Sequence, residues 1–243
     1  MLPYNKLPIF ANVKMVLRQH IVSLQTFLTM TNLTRKHLAT AIAVGIIVAS
    51  LAACGGVDKQ KRIAIVDSIA RICREGDIVL REGNSMESHI VATADTHGGY
   101  THCGIIARMG DSMVVVHAVP NEHDFEGDVD RVKAESLRSF FAMHRANGGC
   151  LLRCNADTAI AQGSAKKAVE IYRRHTLFDH NFDSSDTTKM YCCELVEYAY
   201  QQNGFTIIGT GQHSYNLLKL KLHNVIFPSD FLKSTKIRVV ASF

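Results

Sequence analysis

The chain has 243 residues, of which 47% are hydrophobic and 20% charged, a composition typical of a globular protein with one sizeable domain. The formal net charge is +5, but residues 1–54 hold five basic residues and no acidic ones, which leaves 22 basic and 22 acidic side chains in the remainder. Because the body of the protein is neutral, the sequence argues against a nucleic-acid partner.

The N-terminal region has the pattern of a targeting segment. Arg35 and Lys36 precede an apolar run over 38–53, which is shorter than the ~20 apolar residues of a membrane span but suits the core of a signal peptide. Small residues then lead directly into Cys54. This junction resembles the cleavage site of a bacterial lipoprotein, in which the cysteine becomes the lipidated first residue.

The sequence therefore divides into a possible non-native extension over 1–29, a signal peptide over 30–53, a tether over 54–60 and a domain over 61–243. Met30 is the expected true start. The alternative to a cleaved signal peptide is an uncleaved N-terminal anchor helix. Acyl chains on Cys54 would hold the protein on a membrane. We expect a lipoprotein of the cell envelope that faces the periplasm or the exterior.

The periodicity of apolar residues predicts a mixed α+β domain. In chain order it predicts a helix over 61–74, a strand over 78–80, a short helix through 90–92, a β-hairpin over 100–120, one or two helices over 129–145, a strand over 150–154, a helix over 158–175 and a last strand over 237–241.

The stretch 190–200 reads as the start of a helix with two thiols, Cys192 and Cys193, in its first turn. Unpaired backbone N–H groups and the helix dipole favour a thiolate there and are able to stabilise an oxyanion. The alternative is that each cysteine is a small buried apolar residue. Cys192 shares a helical face with apolar residues, whereas Cys193 shares one with Glu197, which we expect in solvent. The nucleophile should lie on the packed side, so the sequence favours Cys192.

The hairpin carries two histidines. A turn centred on 110–111 pairs Arg108 with Met113 and places His102 and His117 on one face as diagonal neighbours, within ~7–8 Å by backbone. A thiolate needs a base, and the base needs an orienting group, so His102 is predicted as the base and His117 as its partner. A slip of one residue would separate the pair, and the alternative is two structural histidines.

Four motifs together resemble the YiiX/YebB-like cysteine hydrolases of the circularly permuted, papain-like superfamily, which includes NlpC-type cell-wall peptidases and relatives of lecithin–retinol acyltransferase. They lie at 76–79, 101–106, 117–120 and 191–196, and segments 178–183 and 228–232 add weaker similarity. The usual motifs of the family read Ser-His-Val-Gly-Ile and Tyr-Cys-Ser-Glu-Leu. This chain departs from them at Thr101, Cys103 and Cys193, and His117 stands where the family often has glutamate.

The resemblance implies an α+β, circularly permuted papain-like (NlpC-type) domain with an antiparallel sheet packed against helices. It implies that Cys192 attacks, His102 shuttles the proton and His117 orients His102. The expected activity is that of an amidase or peptidase on an envelope amide, in a cell-wall peptide or a lipid-linked substrate. Alternatives are a thioesterase or acyltransferase that uses the same thiol, and a non-catalytic lipoprotein that binds envelope ligands.

The sequence predicts no cofactor and no metal. Cys150 and Cys154 lie four residues apart on a strand, too far for a disulfide, and without a second pair they are weak evidence for zinc. His97, His102 and Cys103 are close in sequence, but we do not expect them to form a metal site.

Overall fold

The computed structural model describes residues 58–95, 99–183, 186–209, 213–217 and 220–243. The predicted extension, the signal peptide, Cys54 and His97 lie outside them. Within these ranges no helix combines the length and the apolarity needed to cross a bilayer. Residues 58–60, expected at the end of the tether, are already helical, because the first described helix covers 58–72.

The domain is built from ten strands and six helices within the described part of the chain. In order they are α1 (58–72), β1 (Ile78–Gly83), α2 (Met86–Ala94), β2 (His102–Met109), β3 (Ser112–Val119), β4 (Arg131–Glu135), α3 (Leu137–Phe140), β5 (Ala146–Cys154), α4 (Thr158–Arg173), β6 (Leu177–Phe178), β7 (Lys189–Met190), α5 (Cys192–Gln201), β8 (His213–Leu217), β9 (Leu220–Val225), α6 (Pro228–Lys233) and β10 (Ile237–Ser242).

Eight strands form one sheet in the order β10-β5-β1-β2-β3-β4-β6-β7, and β8 pairs with β9 separately. All pairs are antiparallel except β6 with β7. The fold is therefore a mixed α+β fold with a mostly antiparallel sheet. The predicted strands over 78–80, 150–154 and 237–241 and the long helix over 158–175 are confirmed within a few residues.

Alternation along β2 gives each face of the sheet its own apolar core. Cys103 and Ile105 belong to the core that includes residues of α4 and α5, whereas Ile106 belongs to the core that includes residues of α1 and α3. Successive strand residues point to opposite faces, so His102 leaves the sheet on the side opposite to Cys103. One residue pair thus supplies an imidazole to one side and a thiol to the other.

The predicted hairpin register is confirmed. Arg108 pairs with Met113 and Ile106 with Val115, as the turn at 110–111 requires. This register brings His102 and His117 together across the two strands, so the sheet fixes the positions of both imidazoles.

The prediction of one or two helices over 129–145 is largely wrong. Residues 131–135 form β4, which pairs with β3, and only the four residues of α3 are helical. Val132 is fully buried and Ala134 packs on the same core, so the apolar period there is two and not 3.6. The short helix then begins at Ser136, whose hydroxyl accepts the Ser139 N–H at 3.1 Å. The correction matters because β4 ends in Glu135, beside His117.

Candidate active site

The start of α5 is fixed from two directions. The Tyr191 N–H donates to Glu194 Oε2 at 3.3 Å, and the Tyr191 hydroxyl accepts the Ile226 N–H at 3.0 Å. Glu194 is buried, and its desolvation raises its pKa to about 8. Cys192 is the first helical residue. Its sulfur is thereby held at the N-terminal end of a rigid element.

The expected exposure of the two helix thiols is reversed. Cys193 and Glu197 are both buried, whereas Cys192 is only half-buried. The Glu197 carboxylate lies inside because it accepts the backbone N–H groups of Ile207, Ile208 and Gly209 at 3.0–3.1 Å. The prediction that Cys193 and Glu197 share a solvent-exposed face is therefore wrong. What separates the two thiols is that Cys192 lines a cleft together with His102.

The two predicted histidines meet. His102 Nε2 lies 2.8 Å from His117 Nδ1, within hydrogen-bond distance, and their rings are edge to face with centroids 5.1 Å apart. The Phe140 ring contacts both imidazoles, with centroids 5.7 Å and 5.2 Å away. Phe140 comes from α3, so an apolar ring from this helix packs against both imidazoles.

A carboxylate that sequence reasoning missed stands behind His117. Glu135 Oε1 lies 3.1 Å from His117 Nε2, and neither atom has a well-aligned hydrogen bond elsewhere in the described chain. The signal for it was the alternating stretch 131–135, which reads as a strand once its period of two is recognised. The sequence then places Glu135 at the end of the strand that neighbours β3.

Further charges hold Glu135 in place. Arg145 contacts Glu135 at 2.8 Å and Glu122 at 3.2 Å, and Glu122 is paired with Arg81. The Arg81 guanidinium also donates to the Phe140 carbonyl at 3.1 Å and lies over the ring of the same residue. This network ties β1, β4 and α3 to the histidine pair. No sequence motif indicated it, because its members are spread over 65 positions.

Electrostatics make His117 a neutral imidazole next to a charged carboxylate. Complete burial lowers the pKa of His117 to about 4, against the opposing effect of Glu135. Burial alone would raise the pKa of Glu135, but His117 and Arg145 hold it at about 2. Both directions fit one arrangement at pH 7, in which the His117 Nε2–H faces the Glu135 carboxylate and His117 Nδ1 accepts a hydrogen bond from the His102 Nε2–H.

Three thiols converge at the junction of β2 and α5. Cys103 Sγ lies 3.5 Å and Cys192 Sγ 3.9 Å from Cys193 Sγ, and all three sulfurs lie within 4.8 Å of one another. The Cys103 and Cys193 thiols, together with His102, lower the pKa of Cys192, while burial raises the pKa of both Cys103 and Cys193. The sequence did not predict this cluster, because Cys103 and Cys193 are 90 positions apart.

The cleft above Cys192 has a volume of about 320 Å³. Besides Cys192, its walls combine six apolar side chains with nine polar or charged ones. The apolar lining residues are Ile90, Val91, Val119, Pro120, Phe178 and Phe182. A site with apolar walls and convergent polar groups at one end is typical of small-molecule sites.

Comparison with known proteins gives the fold alone. No protein-family profile matches this chain, and no curated protein matches it significantly. A solved structure described as metalloprotein yiiX from Escherichia coli O157:H7 (DUF1105) superposes with a TM-score of 0.56. The two sequences are 19% identical, and the match covers 70% of this chain and 97% of that one. The chain therefore has a YiiX-like fold.

The low pKa of His117 predicts a specific pH dependence of stability. Because the folded-state pKa of about 4 lies below the ordinary 6.5, the unfolded chain binds a proton that the folded chain does not between these values. Lowering the pH from 6.5 to 4.5 should therefore cost the wild type about 2 to 3 kcal/mol that His117→Asn does not lose. Urea unfolding at a series of pH values measures this difference.

His144→Asn is the matched control, since it removes an exposed imidazole. This variant should keep the wild-type pH dependence. Equal slopes for the wild type and His117→Asn would contradict the assignment of a neutral, buried His117.

Proposed function

We propose that this protein is a cysteine hydrolase with a circularly permuted papain-like domain, in which Cys192 is the nucleophile, His102 the base and His117 the orienting residue. The observation that carries the proposal is that a half-buried thiol at a helix start and His102, one member of a buried imidazole pair, line the same cleft. Glu135 extends the array by one residue and favours the Nε2–H form of His117.

The reaction follows from the positions of the protons. Because His102 Nε2 is engaged by His117, Nδ1 is the ring nitrogen left to take the proton of Cys192. Cys192 Sγ then bonds to the acyl carbon, and the oxyanion faces backbone N–H groups of the first turn of α5, which lack intrahelical acceptors. His102 returns its proton to the leaving nitrogen as the C–N bond breaks. Water, deprotonated by His102, hydrolyses the thioester and releases the acid.

The walls of the cleft suggest the class of substrate. Six apolar side chains line the space next to Cys192 and His102, whereas a polar peptide would leave them facing groups that prefer water. We therefore favour an amide whose acyl part is apolar, such as a lipid-linked amide, over a cell-wall peptide. The exposed polar lining residues Asn121 and His180 are available to the head group of such a substrate.

The thioester is the testable species. With an activated decanoyl ester, the full chain should form one covalent adduct that maps to Cys192 and is released by hydroxylamine. His102→Ala should slow its formation on the order of 100-fold, since general base catalysis is lost. Decanoyl should be transferred at least ~10-fold faster than acetyl, because each buried methylene contributes ~0.8 kcal/mol. Intact-protein mass spectrometry follows both rates.

Matched variants make this assay specific. Cys73→Ser removes a half-buried thiol outside the cleft and should leave adduct formation unchanged. Val91→Asp, in the cleft wall, should abolish the preference for decanoyl, whereas Val129→Asp, on the exposed surface, should not. Absence of a Cys192 adduct would refute the hydrolase and favour a non-catalytic binding protein. Transfer of the acyl group to an added amine in preference to water would identify an acyltransferase.

We further propose that the protein is a lipoprotein of the cell envelope, attached to the membrane through Cys54. The proposal is supported by the basic, apolar and small-residue sequence that precedes this cysteine. Such an anchor would place the cleft near lipid-linked substrates. Metabolic labelling with an alkyne fatty acid should mark the wild type and not Cys54→Ala, and equal labelling of the two would contradict the anchor.

A further inference from the structure

The two thiols beside Cys192 lower its pKa but make or break no bond in the proposed reaction. Cys103 and Cys193 stand where the YiiX/YebB-like motifs have valine and serine, so neither is needed to build a hydrolase of that type. Both are buried, and both keep their protons in the free protein because burial raises the pKa of each. What distinguishes the cluster is therefore the spacing of its three sulfurs.

That spacing matches the requirement of a thiophilic metal ion. Three thiolates bound to a tetrahedral Zn²⁺ at about 2.3 Å lie roughly 3.8 Å from one another. The measured Sγ–Sγ distances are 3.5 Å for Cys103–Cys193 and 3.9 Å for Cys192–Cys193, and no pair exceeds 4.8 Å. Two of the three separations are therefore within a few tenths of an ångström of that value, and the third is within about 1 Å of it.

The surroundings of the cluster suit a thiolate complex. Zn²⁺ with three thiolates carries one net negative charge, and Cys192 and Cys193 are the first two residues of α5, where the helix dipole favours negative charge. Cys103 comes from the sheet and Cys193 from a packed helix, so both are held by rigid elements. Cys192 opens into the cleft, which leaves a path for the ion and a fourth position for water.

We propose that Cys103, Cys192 and Cys193 form a three-thiolate site for a thiophilic divalent ion such as Zn²⁺. Binding displaces the thiol protons and forms three metal–sulfur bonds, with no change of oxidation state. The same ion occupies the lone pair of Cys192 Sγ that would attack an acyl carbon. Metal binding and acylation are thus mutually exclusive, and this second statement, unlike the first, rests on the proposed function.

Cobalt substitution tests the site directly. The full chain, reduced and freed of metal, is titrated with Co²⁺ without oxygen. It should take up one equivalent, with a thiolate-to-cobalt charge-transfer band and intense visible bands of tetrahedral cobalt, and Zn²⁺ should displace both. Cys103→Val, Cys192→Ser and Cys193→Ser should each weaken binding at least ~100-fold, the upper end of what even an outer-shell substitution costs. Thermal unfolding confirms that each variant is folded.

Cys73→Ser is the control, since its thiol is half-buried and donates to the Ala70 carbonyl away from the cluster. It should leave the bands and the affinity unchanged. Absence of the charge-transfer band, or bands that survive in any of the three cluster variants, would overturn the site.

The decanoyl assay separates the two proposals. If cobalt binds and Zn²⁺ also prevents decanoylation of Cys192, both statements hold. If cobalt binds but Cys192 forms no adduct even without metal, the site stands and the hydrolase fails. If Cys192 forms the adduct at the same rate with a stoichiometric excess of Zn²⁺, the mutual exclusion is wrong.

Discussion

The hydrogen bond between His102 and His117 is the interaction on which the rest of the site depends. It joins His102, the first residue of β2, to His117, the third residue from the end of β3, and it depends on the hairpin register that pairs Ile106 with Val115. His117 is completely buried and neutral, with Glu135 on its far side. A neutral imidazole in this position is able to accept from His102 and leaves one ring nitrogen of His102 for the thiol. The register of two strands therefore determines the chemistry available at Cys192.

The buried charges around this pair are compensated by ion pairs with one another and not by solvent. Arg145 links Glu135 to Glu122, and Arg81 links Glu122 to the backbone of α3. Removing one partner from such a network leaves another buried charge uncompensated, which is costly. The network fixes Phe140 against the imidazoles as well, so the polar side of the site and its apolar cover are held by the same contacts. The cleft is lined by side chains from strands, helices and loops, and it shares Arg81 and Glu122 with this network.

The local parts of the site could be predicted from the sequence, whereas its long-range parts could not. The hairpin has a Gly-Asp turn and a regular alternation, so the pairing of His102 with His117 could be predicted, and the start of α5 could be predicted from its apolar period. Glu135 was missed because its strand was read as a helix. Cys193 and Glu197 were expected in solvent, yet Glu197 is buried because it accepts the backbone N–H groups of 207–209. Segment 207–209 has no periodicity from which its position beside Glu197 could be predicted. Convergence of Cys103 with the helix thiols depends on packing across 90 positions.

The protonation state of His117 tests this account most directly. In the full chain with ¹⁵N-labelled histidine, the His117 resonances are assigned by comparison with His117→Asn and followed as a function of pH. We expect a neutral ring at pH 7 with its proton on Nε2 and no titration until the pH falls to about 4. An imidazolium at pH 7, or a proton on Nδ1, would mean that His117 cannot accept from His102, and the proposed orientation of the catalytic base would be wrong.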